Sequence, residues 1–287
     1  MERRYKTKDA SLNDLPKIKS FLNQSPLYHI HLDWGSIEQL INKNNFLMLL
    51  ENENIIGILS CPSVKDDPVW IRQFSIGKYH KPGEVWNILF PKILESLSYS
   101  ASTINIYSIA VWDWYERILK NADFISFQQI VSLEWTNIRK NHPGPFTPPM
   151  KVRPMDIEDI PSITQVDSDA FSIPWNLNQE TLHNAYRESS YSSVAIFDDT
   201  IVGYLMASQK HLNTHISRIA VIPDYQGRKI GLTLMIECLR YYIEKNILTI
   251  SVNTQKSNIA SLALYKKLRF ENLGNNFPVY HFTSPPL

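Results

Sequence analysis

The residues with the most chemical content lie in Asp224–Met235, DYQGRKIGLTLM. The chain has nine glycines in 287 residues, about half the usual share of roughly 7%. Yet Gly227 and Gly231 stand close together among Gln226, Arg228 and Lys229, just ahead of an apolar helical pattern. The first N–H groups of a helix are unpaired donors pointing one way, with the positive end of the helix dipole behind them. Glycine lets a ligand approach that backbone without a Cβ in the way, and Arg228 and Lys229 add positive charge. The chemistry this suits is anion binding, phosphate above all. The spacing is neither GxxxxGK[ST] nor GxGxxG, which argues against a P-loop nucleotide and a Rossmann dinucleotide. Taken alone, the pair reads more simply as a basic turn before an amphipathic helix.

The surrounding residues specify the elements that would hold this loop. Asp156, with Asp159 three residues on and Pro161 behind it, starts a helix carrying Ile160, Ile163 and Val166. SSVAIFDDTIVGYLMAS predicts a hairpin turning at Asp198-Asp199, and HISRIAVIP a third strand stopped by Pro223. Beyond the loop, Leu232, Met235, Ile236, Leu239 and Ile243 recur at helical spacing. LTISVNT is a further strand, NIASLALYKKL a helix and FPVYHF a last strand. The order α, β, β, β, α, β, α, β predicts an α/β sandwich around a mixed sheet.

This half has a counterpart. NHPGPFTPPM carries four prolines, which no helix or central strand accepts, so it reads as a linker near the middle of the chain. Asp14-Leu15-Pro16 recurs as Asp159-Ile160-Pro161, Ile55-Ile56-Gly57 as Ile201-Val202-Gly203, and Phe124 as Phe270, at one offset of about 145 residues. The expected domains are therefore 1–140 and 151–287, joined by 141–150. A formal net charge of +1 supports neither nucleic acid nor an anionic membrane as partner, so any anion is bound locally. Cys61 and Cys238 form no CxxC or disulfide framework. No targeting segment and no membrane-length apolar run is read, which predicts a cytoplasmic protein.

HISRIAVIPDYQGRKIGLTLM resembles the strand-loop-helix of the GNAT superfamily of N-acetyltransferases, and NIASLALYKKLRF is similar to that family's Asn-x6-Leu-Tyr-x-Lys-Leu-Gly-Phe segment. Two motifs in order on the right elements are more specific than either alone. The resemblance is strong over 150–287 and faint over 1–140, and it implies a tandem α/β fold of two GNAT-like domains with acetyl-coenzyme A as co-substrate and no metal. It implies that Gln226, Gly227, Arg228, Lys229, Ile230 and Gly231 wrap the pyrophosphate. Ile219, Ala220 and Val221 would border the pantetheine arm, and Asn258 would hydrogen-bond it. Tyr265 would stand near the thioester sulfur. Lys229 and Arg269 replace two of the family's glycines.

The implied reaction is acyl transfer from a thioester to an amine. A backbone N–H at Val221 would stabilise the oxyanion, and Tyr265 would protonate the departing sulfur or hold it by a hydrogen bond. Enzymes of this superfamily that acetylate protein N-termini often have a glutamate on the strand before the Asn turn, the place of Asn253 here, and an amide cannot accept a proton. A water relay ending at His215 or His211 is one solution, and an amine arriving neutral is the other. AFSIPW and NNFPVY resemble segments bordering the peptide cleft in the ribosomal-protein alanine N-acetyltransferase branch, which would place Trp175, Phe277 and Tyr280 beside substrate; packing is the alternative. In the first copy the glycine loop maps onto His80–Trp86, with Val85 or Trp86 at the place of Gly231, and Leu119 falls at the tyrosine's place with Tyr115 one turn away. That copy reads as degenerate. The chain is then an N-acetyltransferase, monomeric or homodimeric, acting on a peptide N-terminus, lysine or small amine. The alternative is a non-catalytic acyl-coenzyme A sensor.

Overall fold

The computed structural model describes residues 5–31, 34–63, 68–98 and 103–284. The first half runs β1 (Tyr5–Asp9), α1 (Leu15–Gln24), β2 (Leu27–Ile30), α2 (Ile37–Ile41), β3 (Phe46–Glu51), β4 (Asn54–Ser60), β5 (Val69–Trp70), β6 (Gln73–Ile76), α3 (Pro82–Ser98), β7 (Ile104–Ile109) and α4 (Asp113–Asn121). Then come β8 (Ile125–Thr136), β9 (Lys151–Pro154), α5 (Ile160–Ala170), α6 (Gln179–Glu188), β10 (Tyr191–Phe197), β11 (Thr200–Lys210), β12 (Asn213–Val221), α7 (Ile230–Glu244), β13 (Thr249–Gln255), α8 (Ile259–Lys267) and β14 (Glu271–Ser284). No helix among the described residues is long and apolar enough to cross a membrane.

The chain forms two compact units, one of residues 1–128 with 277–287 and one of 129–276. This differs from the division expected at 141–150, because two strands run across the unit limits. β8 lends its later residues to the second unit, where Ile130–Thr136 pair with β13. β14 lends Val279–Ser284 to the first, where they pair with β7. The proline-rich stretch lies inside the second unit: Phe146 and Met150 pack against its core, and the Trp135 indole donates to the Asn141 carbonyl.

In the second unit β9, β10, β11 and β12 are antiparallel, β12 runs parallel to β13, and β8 closes the far side. Its core holds α7 and α8 against one face of this sheet through Leu234, Met235, Leu239, Tyr265 and Leu268. α5 covers the other face over β11 and β12. The Asp156/Asp159 capping box precedes α5, and Asp198 and Asp199 take the left-handed φ values of 46° and 59° that a two-residue hairpin turn requires. α6 and β9 lie outside the expected elements; α6 has only Leu182 and Ala185 buried, too sparse an apolar stripe to announce a helix.

The first unit repeats the design with its gap filled. Val85 packs on Gly57, where an added Cβ would meet the Val85 side chain at 2.3 Å, as Ile230 packs on Gly203 at 3.2 Å. Trp86, 3% exposed, therefore stands at the place of Gly231. Phe124 N bonds to Leu119 O as Phe270 N bonds to Tyr265 O, which makes Leu119 the counterpart of Tyr265. β2 pairs along β6 from Leu27↔Ile76 to Ile30↔Gln73, so that strand's second edge is occupied.

Candidate functional site

The edge that is filled in the first unit is open in the second. β12 pairs with β13 only from Asn213↔Thr249 to Ile216↔Val252, whereas its pairing with β11 continues to Val221. Residues 217–221 thus form one wall of a split. Ile222 N donates to Val202 O, so by the alternation of an antiparallel ladder the N–H groups of Ile219 and Val221 point away from β11, into the split. Ala220 is turned the other way, its carbonyl lying where a Cβ on Gly203 would meet it at 2.9 Å. Of the three strand positions expected to border a pantetheine arm, Ala220 is therefore a sheet-bonding residue. The Val221 carbonyl accepts from Gln226 Nε2 at 3.1 Å.

At the end of the split the chain turns through Gly227 with φ 76° and Lys229 with φ 63°, left-handed values that leave Lys229 as the N-cap of α7. Thr233 N and Oγ1 both bond to the Lys229 carbonyl at 2.9 Å. The N–H groups from Gly227 to Leu232 have no backbone acceptor among the described residues. Arg228 lies over the Tyr225 ring at 5.0 Å and near that of Phe197 at 5.7 Å. Ile230 is buried against Gly203. A Cβ on Gly231 would lie 3.4 Å from Leu264 Cδ2 and 3.8 Å from Val221 Cγ2, so this glycine joins the loop, the open strand and α8. Lys229 also borders a cavity of about 350 Å³ with His142, Phe146, Lys267 and Arg269.

α8 brings the remaining expected residues. Asn258 is its N-cap, its Oδ1 accepting from Ser261 N at 3.1 Å, and the amide nitrogen takes no part in that cap. Tyr265 follows two turns later, 2% exposed. Burial raises its hydroxyl pKa above the ordinary tyrosine value, against a smaller opposing effect of Ser261, so the group stays protonated at neutral pH.

Near the split, the opposite face of β13 and β8 carries polar residues. Asn253, exposed and just past the last β12–β13 pair, accepts from Ser132 Oγ at 2.7 Å. His215 Nδ1 lies 2.9 Å from Ser251 Oγ, and burial lowers its pKa. His211 sits in the turn before β12 with φ 57°. Trp175 is half-buried, its carbonyl accepting from Arg218 Nη2 at 2.7 Å. Phe277 and Tyr280 both belong to the first unit; Tyr280 is 3% exposed, packed in that core with its hydroxyl donating to Glu116.

Sequence reasoning missed one charged cluster. Asp167, fully buried on α5, takes Arg218 Nε and Nη2 at 2.7 and 2.8 Å, the Tyr204 hydroxyl and the Leu177 N–H at 2.7 Å. The Arg218 guanidinium stacks 3.7 Å above the Phe171 ring. The pair fastens residues 171–177 to β12, immediately before Ile219. An arginine just ahead of the apolar Ile219-Ala220-Val221 and an aspartate on the apolar stripe of α5 were the signal available.

Residues 160–270 match the acetyltransferase (GNAT) family. A ribosomal protein bS18 alanine N-acetyltransferase of Salmonella typhimurium (strain LT2) is 25% identical over 112 residues, covering 39% of this chain and 74% of that protein. A Bacillus subtilis (strain 168) relative, proposed to have the same activity, is 27% identical over 118 residues, 40% of this chain and 77% of its own. Among solved structures, a tandem GNAT protein from the clavulanic acid biosynthesis pathway matches with TM-score 0.71 at 10% identity, covering 99% of this chain and all 100% of that one. At that identity the likeness is one of fold, two GNAT-type domains in tandem. The split strand and the glycine loop at its end thus lie within a GNAT acetyltransferase domain, an acyltransferase module spanning residues 160–270 of a tandem GNAT fold.

Proposed function

We propose that the second unit binds acetyl-coenzyme A along the open edge of β12 and transfers its acetyl group to a primary amine. The observation that carries this is the run of unpaired N–H groups from Gly227 to Leu232 at the end of a strand edge free from 217 to 221. Diphosphate oxygens accept from the loop, with Lys229 and Arg228 adding charge. The cavity beside Lys229, with Lys267 and Arg269 on its rim, suits the nucleotide end of the same molecule. Ile219 and Val221 offer backbone groups to the amide-bearing arm, and the Asn258 amide nitrogen donates to it.

The amine attacks the carbonyl, Val221 N–H steadies the oxyanion, and the thiolate leaves beside Tyr265. A tyrosine raised above 10 facing a thiol near 8.5 makes full proton transfer uphill by at least about 2 kcal/mol, so Tyr265 serves by hydrogen bond. An α-amine near pKa 7.8 costs about 1 kcal/mol to neutralise at pH 7, against roughly 4.6 for a lysine. With an amide at Asn253, the protein N-termini acetylated by the relatives named above are the easier acceptors. The same amide supports a second reading, a sensor that binds acyl-coenzyme A without turnover.

Calorimetric titration with acetyl-coenzyme A, paired with coenzyme A release against a panel of peptide and small amines, separates these readings. Wild type should bind one equivalent, and Tyr265→Phe should bind equally while losing turnover. Equal binding by both with no release from any amine would favour the sensor.

A further inference from the structure

Resting on the transferase reading, we infer that Glu134, on the β8 segment that the first half of the chain lends to the second unit, is the proton acceptor that Asn253 cannot be. β8 and β13 are antiparallel with Ser132 opposite Asn253 and Glu134 opposite Ser251; β12 and β13 are parallel with His215 beside Ser251. Leu133, Trp135, Ile216, Ile250 and Val252 all face the α7–α8 core. By strand alternation Ser132, Glu134, His215, Ser251 and Asn253 share the other face.

They form two polar rows. Ser132 and Asn253 are joined at 2.7 Å, nearest the split. His215 and Ser251 are joined at 2.9 Å, with Glu134 on the far side of Ser251, Cβ atoms of such directly opposed residues lying about 5 Å apart. The rows are about 7 Å apart along the strands, a span that one or two waters bridge. Ser251 Oγ donates to the Thr214 carbonyl at 3.3 Å, so its lone pairs are left for His215 Nδ1–H and a passing water. Glu134 is half-buried, and its carboxylate makes no hydrogen bond or ion pair among the described residues. A carboxylate left unpaired beside a solvent-reachable file of hydroxyls is fitted to take a proton.

The step balances. The amine nitrogen's lone pair forms the N–C bond, the C–S bond breaks with its electrons leaving on the thiolate, and the surplus N–H proton passes through water to a Glu134 oxygen. The other ionisable groups on this face are His215 and Arg218 from β12 and Tyr204 from β11, with Asp167 from α5 already bonded to Arg218 and Tyr204. β13 contributes no ionisable group to this face, and Glu271 lies exposed at the start of β14.

The test compares wild type, Glu134→Gln, Glu134→Asp and Ser251→Ala in acetyl-coenzyme A-dependent acetylation of a peptide through its N-terminal amine from pH 6.5 to 9.5, with acetyl-coenzyme A affinity by calorimetry. Glu134→Gln should bind acetyl-coenzyme A like wild type, lose about 100-fold in kcat/KM at pH 7, and regain it as rising pH lets solvent remove the proton. Glu134→Asp should keep most of the rate, and Ser251→Ala should fall between. Wild-type rates for Glu134→Gln at pH 7, or a loss of the same factor at every pH, would overturn the assignment. If wild type releases no coenzyme A with any amine, the transferase reading itself fails and this assignment falls with it.

Discussion

Gly231 separates stability from binding in a single substitution. The residue is helical and its missing Cβ would touch only Leu264 Cδ2 at 3.4 Å and Val221 Cγ2 at 3.8 Å, both ordinary contacts. Glycine in a helix costs roughly 0.5–1 kcal/mol relative to alanine, so Gly231→Ala should stabilise the free protein by about that amount. At roughly 2–4 °C per kcal/mol for a domain of this size, Tm rises by about 1–4 °C. The diphosphate proposed above approaches the same stretch of backbone, so the added methyl group should crowd it. Losing one charge-assisted hydrogen bond costs about 1.5–3 kcal/mol, a rise in Kd of roughly 10- to 150-fold. Thermal unfolding without ligand reads the first number, and titration calorimetry with acetyl-coenzyme A the second. Gly231→Trp, which installs the residue found at Trp86, should abolish binding. A higher Tm with unchanged affinity in both variants would refute the anion site, and a lower Tm for alanine would refute the reading of the space around it.

Two further outcomes are expected. Asp167→Asn leaves Arg218 buried without its counter-charge and should cost about 3–5 kcal/mol in urea unfolding, whereas Asp167→Leu with Arg218→Met should recover most of that loss while freeing the 171–177 segment. His29, buried against the Ile71 carbonyl and stacked on Tyr115 at 4.3 Å, has its pKa pushed down to about 3 by burial, with His31 adding to the shift. It is neutral in both states above pH 6.5; below that the unfolded chain takes up a proton that the folded one refuses until about pH 3. Stability is therefore full above pH 6.5 and declines by about 1.4 kcal/mol per pH unit as pH falls through this window, about 2 kcal/mol by pH 5. Urea titrations at pH 7.5 and 5.0 measure it, and His29→Phe should remove that part of the slope.

The loop from Gln226 to Gly231 was legible because its demands are local: Gly227 has an open left-handed turn that glycine adopts freely, and the apolar stripe from Leu232 to Leu239 follows at helical spacing. Asn258 and Tyr265 were legible for the same reason, as one N-cap and a buried residue two turns on. What escaped is pairing between distant segments. Nothing in ISFQQIVSLEWT says that its second half joins β13, more than a hundred residues on, and so neither the unit limits nor Glu134 could be read. The Asp167–Arg218 pair and the burial of Tyr280 on β7 are likewise tertiary facts.

The lending of β14 also sets an order of events at the ribosome. The first unit has β5 on one edge of β7 but lacks the partner on the other until residues 279–284 emerge, after all of 129–276 has been made. At about 5–20 residues per second that wait lasts roughly 7–30 s. During it the edge of β7 is an unpaired strand of the kind that recruits other chains. The usual rule that the amino-terminal domain is finished first does not hold here. The second unit, whose strands are all present once Asn276 is made, is the first able to close, and residues 279–284 then complete a unit whose other strands were made before it.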